Sequence, residues 1–242
     1  MHNSTDGLTL SDAEKQLLDK IPDADREARL RTLESQLASI TTDNDDPGPD
    51  TTEAFQRAQV WLEMAGLLLD LDRKTEAWDY ARPSIEILVA HEAFEDAALA
   101  CQYVYLADQF DAIPAIGQAA WLAVTYPVDP HLTANILHHI IDETPDDSDG
   151  AAVAAATAHY VVDIRSTEAQ REELRLFTGA NLARVAKRHG RVDSQQTFEL
   201  WVERLELDIP EKFLVRLRNV IDVMVQFDWW FDREELQEKI PE

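Results

Sequence analysis

Two stretches of this chain share the form His-x-x-x-Asp: His138 with Asp142, and His159 with Asp163. Side chains four residues apart leave the same face of a helix, and the two segments fall in what the periodicity predicts as consecutive helices. An antiparallel hairpin of those helices can bring the pairs together. A neutral imidazole and a carboxylate from each would then supply donors for a divalent metal such as Zn²⁺, Mn²⁺ or Fe²⁺, with His131 as a fifth donor. That reading implies a metal-dependent all-α enzyme. A simpler reading uses each pair as a local hydrogen bond, or places each histidine at the negative end of its own helix. The Glu-x-x-His signature of di-iron bundles is absent.

Arg184, Lys187, Arg188, His189 and Arg191 form a basic cluster in an otherwise acidic stretch of chain. Ala186 and Gly190 have the small-residue spacing of a helix-turn-helix, but Arg191 stands where an apolar residue is needed. The would-be recognition helix carries Glu199 and Glu203, which a phosphate backbone repels. The cluster is expected instead to offset a helix C-terminal dipole, to form internal ion pairs, or to dock an acidic segment of a partner, with Arg184, Lys187 and Arg188 as contacts. Near the C-terminal end, Phe227, Trp229, Trp230 and Phe231 place four aromatics in five positions. Aromatics flanked by acids serve as interface anchors, and they equally close the end of a helical core. Trp229 and Trp230 are the candidate partner contacts, with Trp230 the one expected to be exposed. No Gly-rich phosphate loop, G-x-S-x-G elbow or H-E-x-x-H sequence occurs.

With 47 acidic against 22 basic side chains, the formal net charge is −25. Such a surface repels nucleic acid and anionic membrane, so neither is expected as a partner. The acids are spread along the whole chain, which suits a solvated surface adapted to salt as well as one that recognises a basic partner. A nucleic-acid mimic is a further reading, and it requires carboxylates arrayed at phosphate-like spacing on one face. The single cysteine, Cys101, excludes a disulfide framework and sits in an apolar run that predicts a core position. Residues 1–10 lack a basic stretch followed by an apolar one, no run has the length of a membrane span, and the expected location is cytoplasmic.

The elements that must position these residues are helices. Gly is scarce, at 7 residues, and Ala, Leu, Glu and Gln are abundant, which favours helix over strand. Ser11 and Glu14 have the form of a capping box, and Asp23 can cap a second helix in which Leu30, Leu33, Leu37 and Ile40 share a face. Residues 1–41 are thus expected to form an N-terminal helical hairpin. Residues 42–52, rich in Asp with Pro47, Gly48 and Pro49 adjacent, are expected to be a flexible acidic linker. Residues 53–242 then form a helical core ending in the aromatic segment. Helices are predicted at 53–71, 74–91, 92–108, 112–126, 130–143 and 149–165. A further helix opens at the Thr167/Gln170 box and is broken by Gly190; others begin at Ser194 and Pro210, and a last short one is capped by Asp232. In the helix after Pro210, the face expected to be apolar carries Phe213, Leu217, Val220, Met224 and Phe227. Phe231 and Leu236 occupy the positions of a hydrophobic staple.

Trp61 opens a helix that holds Ala65 and Gly66, and Ala77 follows Ala65 by twelve residues. Ala100 and Ala112 repeat that spacing 35 residues on, and Pro127 falls near where such a unit would end. Residues 58–127 therefore resemble tetratricopeptide repeats. They depart from that family in having Leu68 at its aromatic position and Ser84 at its late small position. The resemblance implies antiparallel helical hairpins stacked as a short solenoid or irregular bundle, with a protein-binding role. The expected function is a non-catalytic protein-interaction module, that is, an adaptor, scaffold or dedicated assembly chaperone. Its partner is expected to be another protein that presents a basic or helical docking segment, and no cofactor is expected outside the metal reading.

Overall fold

The computed structural model describes residues 22–40 and 48–240. Among these residues the chain is all-α, with eleven helices and no strand. They are α1 (Asp23–Ile40), α2 (Thr52–Asp70), α3 (Lys74–Ala90), α4 (Phe94–Leu106), α5 (Ala112–Thr125), α6 (Pro130–Glu143), α7 (Asp149–Arg165), α8 (Glu168–Gly190), α9 (Gln195–Arg204), α10 (Pro210–Val225) and α11 (Arg233–Glu238). No helix among the described residues is long and apolar enough to cross a membrane. The expected Ser11/Glu14 box and most of the expected linker lie outside the described residues.

Local capping chemistry sets the helix starts. Asp129 accepts from the amides of His131 and Leu132 ahead of Pro130, Ser148 caps α7, and the Thr167/Gln170 box closes around the start of α8. The helix ends are less conventional. Asp72, Glu92, Asp108, Arg191 and Glu206 all adopt positive φ, between 51° and 58°, and no described glycine does. After the acidic residues Asp72, Glu92 and Glu206 the chain returns a hydrogen bond to the last helical turn: Arg73 to the Leu68 carbonyl at 2.8 Å, Ala93 to Leu88 at 2.9 Å, and Leu207 to Val202 at 3.0 Å. This is the left-handed turn that usually takes glycine, made here by acidic residues. It shortens the helix expected at 92–108, because Glu92 is in the turn and α4 starts only at Phe94.

Glycine is used for close approach instead. A Cβ on Gly117 of α5 would lie 2.7 Å from Val225 Cγ2 of α10. The helix expected to be broken by Gly190 ends there, with Gly190 as its last residue, and Arg191 makes the left-handed turn. The side chain is missing at 190 because the indole of Trp201 occupies its place.

Successive helices from α1 to α8 pack on one another, and α2–α4 and α6–α8 also touch, as stacked hairpins require. Ala65, Ala77 and Ala100 are fully buried at those contacts, whereas Ala112 is only partly covered. Helix α10 leaves the series and folds back across α5 and α7. Its buried positions are Phe213, Leu217, Ile221 and Val225, with Val220 and Met224 partly buried. Phe227 lies beyond the helix end and is fully exposed, which corrects the face expected from spacing alone. Cys101 is fully buried, and burial pushes its thiol up, away from the reactive thiolate form.

Helix α1 docks on α2. Leu30 and Leu33 pack into a cluster with Val60, Met64, Leu68 and Ala77. Arg26, only 3% exposed, pairs with Asp23 at 2.8 Å and Asp70 at 3.2 Å, and Arg29 pairs with Glu63 at 2.6 Å.

Candidate functional site

The two His-x-x-x-Asp pairs sit on neighbouring helices, α6 and α7, but the four side chains do not form one site. His138 Nε2 lies 3.4 Å from Asp142, and Arg184 of α8 donates to the other Asp142 oxygen at 2.9 Å. On α7, Arg175 of α8 binds Asp163 at 2.6 Å and holds its carboxyl below the usual carboxylate range, with His159 adding to the effect. Arg175 and Arg184 are nine residues apart, about 13 Å of helix rise. Helix α8 therefore partitions the carboxylates that a hairpin alone can bring together. Among the described residues no group of three His, Cys, Asp or Glu side chains is placed to hold a metal ion, and His131 joins neither pair.

His159 differs from His138 in how it is held. Thr178 donates its only hydroxyl proton to the Leu174 carbonyl at 2.8 Å. Its oxygen, 3.0 Å from His159 Nδ1, is then placed to accept from the ring N–H, and in the neutral imidazole this arrangement leaves Nε2 as the acceptor nitrogen. No residue among those described partners Nε2.

The basic cluster at the end of α8 is largely spent inside the molecule. Arg188 donates to the Ile141 carbonyl at 2.7 Å, completing the C-terminal end of α6, and pairs with Asp146 at 3.0 Å. His189 accepts from the Trp201 indole at 3.0 Å and meets Asp149 at 3.1 Å, which also pairs with Arg216. Lys187 and Arg191 are exposed. A cation that the motif reading missed does the same work elsewhere: Arg165 donates to the Ala123 and Val124 carbonyls at 2.6 and 2.7 Å, capping α5. Its position in the last turn of an Ala-rich helix is the only sequence signal of that role.

The C-terminal aromatics overturn one expectation. Trp230 is buried, at 9% exposure: Arg82 lies 4.0 Å over its ring, and its backbone N–H donates to Gln118 Oε1 at 2.8 Å. Trp229 and Phe231 pack on Trp121, with ring centres 6.0 and 5.6 Å apart, and Arg233 covers Trp229. The exposed aromatics are Phe227 and, at 89%, Phe110 in the α4–α5 loop. The same Gln118 amide donates to the carbonyls of Pro114 and Asp228, which places Asp228 beside the N-terminal half of α5. Phe110, in the loop before α5, and Phe227, next to Asp228, are thus both exposed near the N-terminal half of α5. The carboxylates of Asp108 and Asp228 beside them are exposed and unpaired among the described residues. Asp111 is not free, since it accepts from the Trp78 indole at 2.8 Å.

A second surface feature is a groove of about 490 Å³ between α7, α8, α9 and α10. Phe198, Phe213 and Leu207 supply apolar walls, and His159, Tyr160 and Asp208 supply polar atoms. Gly179 of α8 also lines it, and a Cβ there would meet nothing within 4 Å. Comparison of the chain with family models, with curated proteins and with solved structures gave no match.

Proposed function

We propose that this chain is a non-catalytic protein-interaction module, an adaptor, scaffold or dedicated assembly chaperone built of tetratricopeptide-like helix pairs. The observation that supports it is the pair Phe110 and Phe227, two largely exposed aromatics near the N-terminal half of α5, while most other aromatics are packed. The one ring contact of Phe110 among the described residues is with Trp78, at 5.7 Å between ring centres. Large exposed apolar side chains grouped together mark contact surfaces, and aromatics dominate the energy of such contacts. Exposed carboxylates beside them favour a partner protein that offers a cationic, apolar-faced helix. The helical architecture suits binding, and the site residues carry the argument.

The test uses tagged wild-type protein and the double variant F110S/F227S, each used to capture partners from the native host, with quantitative mass spectrometry. Both side chains are outside the core, so stability should change by less than about 0.5 kcal/mol. The proposal expects one near-stoichiometric partner that is lost with the double variant. An identical set of captured proteins with both baits would rule this surface out.

A further inference from the structure

We propose that the groove between α7, α8, α9 and α10 is a binding site for a small organic cation with an apolar body, an alkyl- or arylammonium. The site is separate from the Phe110/Phe227 surface, and the proposal stands or falls independently of it.

Size is the first observation. About 490 Å³ is the volume of a small-ligand site, and the walls are mainly apolar, as such sites require. The polar atoms are the second. In neutral His159 the Thr178 contact favours the tautomer with the proton on Nδ1, whose Nε2 is an acceptor with no hydrogen-bond partner among the described residues. The carboxylate of Asp208 is exposed and unpaired, and no Lys or Arg lines the groove. Lys212 is taken by Glu206, and Asp163 is neutralised by Arg175, so neither sets the balance. What remains is a lone pair and a negative charge, which select a donor that carries positive charge. An ammonium group satisfies both, whereas an alcohol satisfies only hydrogen bonding and a carboxylate neither.

Gly179 is the third observation. The glycines at 117 and 190 are explained by a neighbour that fills the place of their side chain, but the space at 179 is open. A glycine inside a 23-residue helix costs about 0.5–1 kcal/mol relative to alanine. Nothing in the packing of the chain on itself requires that loss, and a missing side chain there widens the groove that Gly179 lines.

The experiment is calorimetric titration and ligand-observed NMR with 2-phenylethylammonium, against 2-phenylethanol and 3-phenylpropionate as matched neutral and anionic probes. The expected result is binding of the ammonium at least roughly tenfold tighter than of the alcohol, the gain of one charge-assisted hydrogen bond. G179L should fill the groove and abolish that binding, while circular dichroism and the thermal midpoint show the fold retained. D208N should weaken the ammonium several-fold and leave the alcohol unchanged, and F110S/F227S should leave both unchanged. Equal affinities for the three probes, no saturable binding of the ammonium, or wild-type affinity in a folded G179L variant would each overturn the proposal.

Discussion

Gln118, fully buried in α5, accepts the backbone N–H of Trp230, 112 residues further along the chain, at 2.8 Å. Its amide nitrogen donates to the Asp228 carbonyl at 3.2 Å, so one side chain holds both ends of the segment 228–230. Replacing it with Leu leaves the Trp230 N–H buried and unpaired, a loss of about 1–3 kcal/mol. Urea unfolding followed by tryptophan fluorescence measures that loss, and Trp230 should become more accessible to acrylamide. An unchanged midpoint would mean that ring packing alone holds the segment.

The glycines of α8 should respond in opposite directions. Gly190→Ala drives a methyl group into the Trp201 indole and should cost about 1–3 kcal/mol, loosening α9. Gly179→Ala meets open space and should gain about 0.5–1 kcal/mol from helix propensity. Paired denaturation curves check the contrast.

Arg165 reaches from the last turn of α7 to the carbonyls of Ala123 and Val124 at the end of α5. Arg165→Met keeps the apolar stem and removes both charged donors, and should cost about 1.5–3 kcal/mol. Arg165→Lys can restore only part of it, since one ammonium does not match two carbonyls as a guanidinium fork does. Equal stability of the Met and Lys variants would contradict this account of the α5 end.

Stability should also fall in mild acid. His139 is held below the ordinary imidazole value by burial and by neighbouring His138, against the opposing pull of Asp142 and Glu143. Unfolded histidine takes up its proton near pH 6.5. As pH falls below that, the unfolded chain binds a proton the folded one does not, so the folded state loses stability until folded His139 is protonated as well. Above pH 6.5 both states are neutral at this residue and the contribution is constant. His139→Gln should flatten the decline between about pH 7 and 5 in unfolding free energies measured by urea titration.

Much of the fold is legible in the sequence because its determinants are local. The bounds 130–143 and 149–165 follow from Asp129 before Pro130 and from Ser148 before Asp149, and the Thr167/Gln170 box opens α8 as expected. A cap acts across three or four residues, so the chain carries that information without its tertiary context. The same holds for the scarcity of glycine and its consequence, an all-helical chain.

Only the tertiary structure decided which side chains are free. Trp230 and Phe227 exchanged their expected positions because the chain turns at Gln226 and the buried amide of Gln118, 110 residues earlier, draws segment 228–230 inward. The His-x-x-x-Asp pairs were separated because α8 lays Arg175 and Arg184 against one carboxylate each. Spacing gives the face a side chain leaves from, but the partner on that face comes from a helix distant in sequence, and that partner determines whether a charge is paired, a ring is buried or a groove stays open.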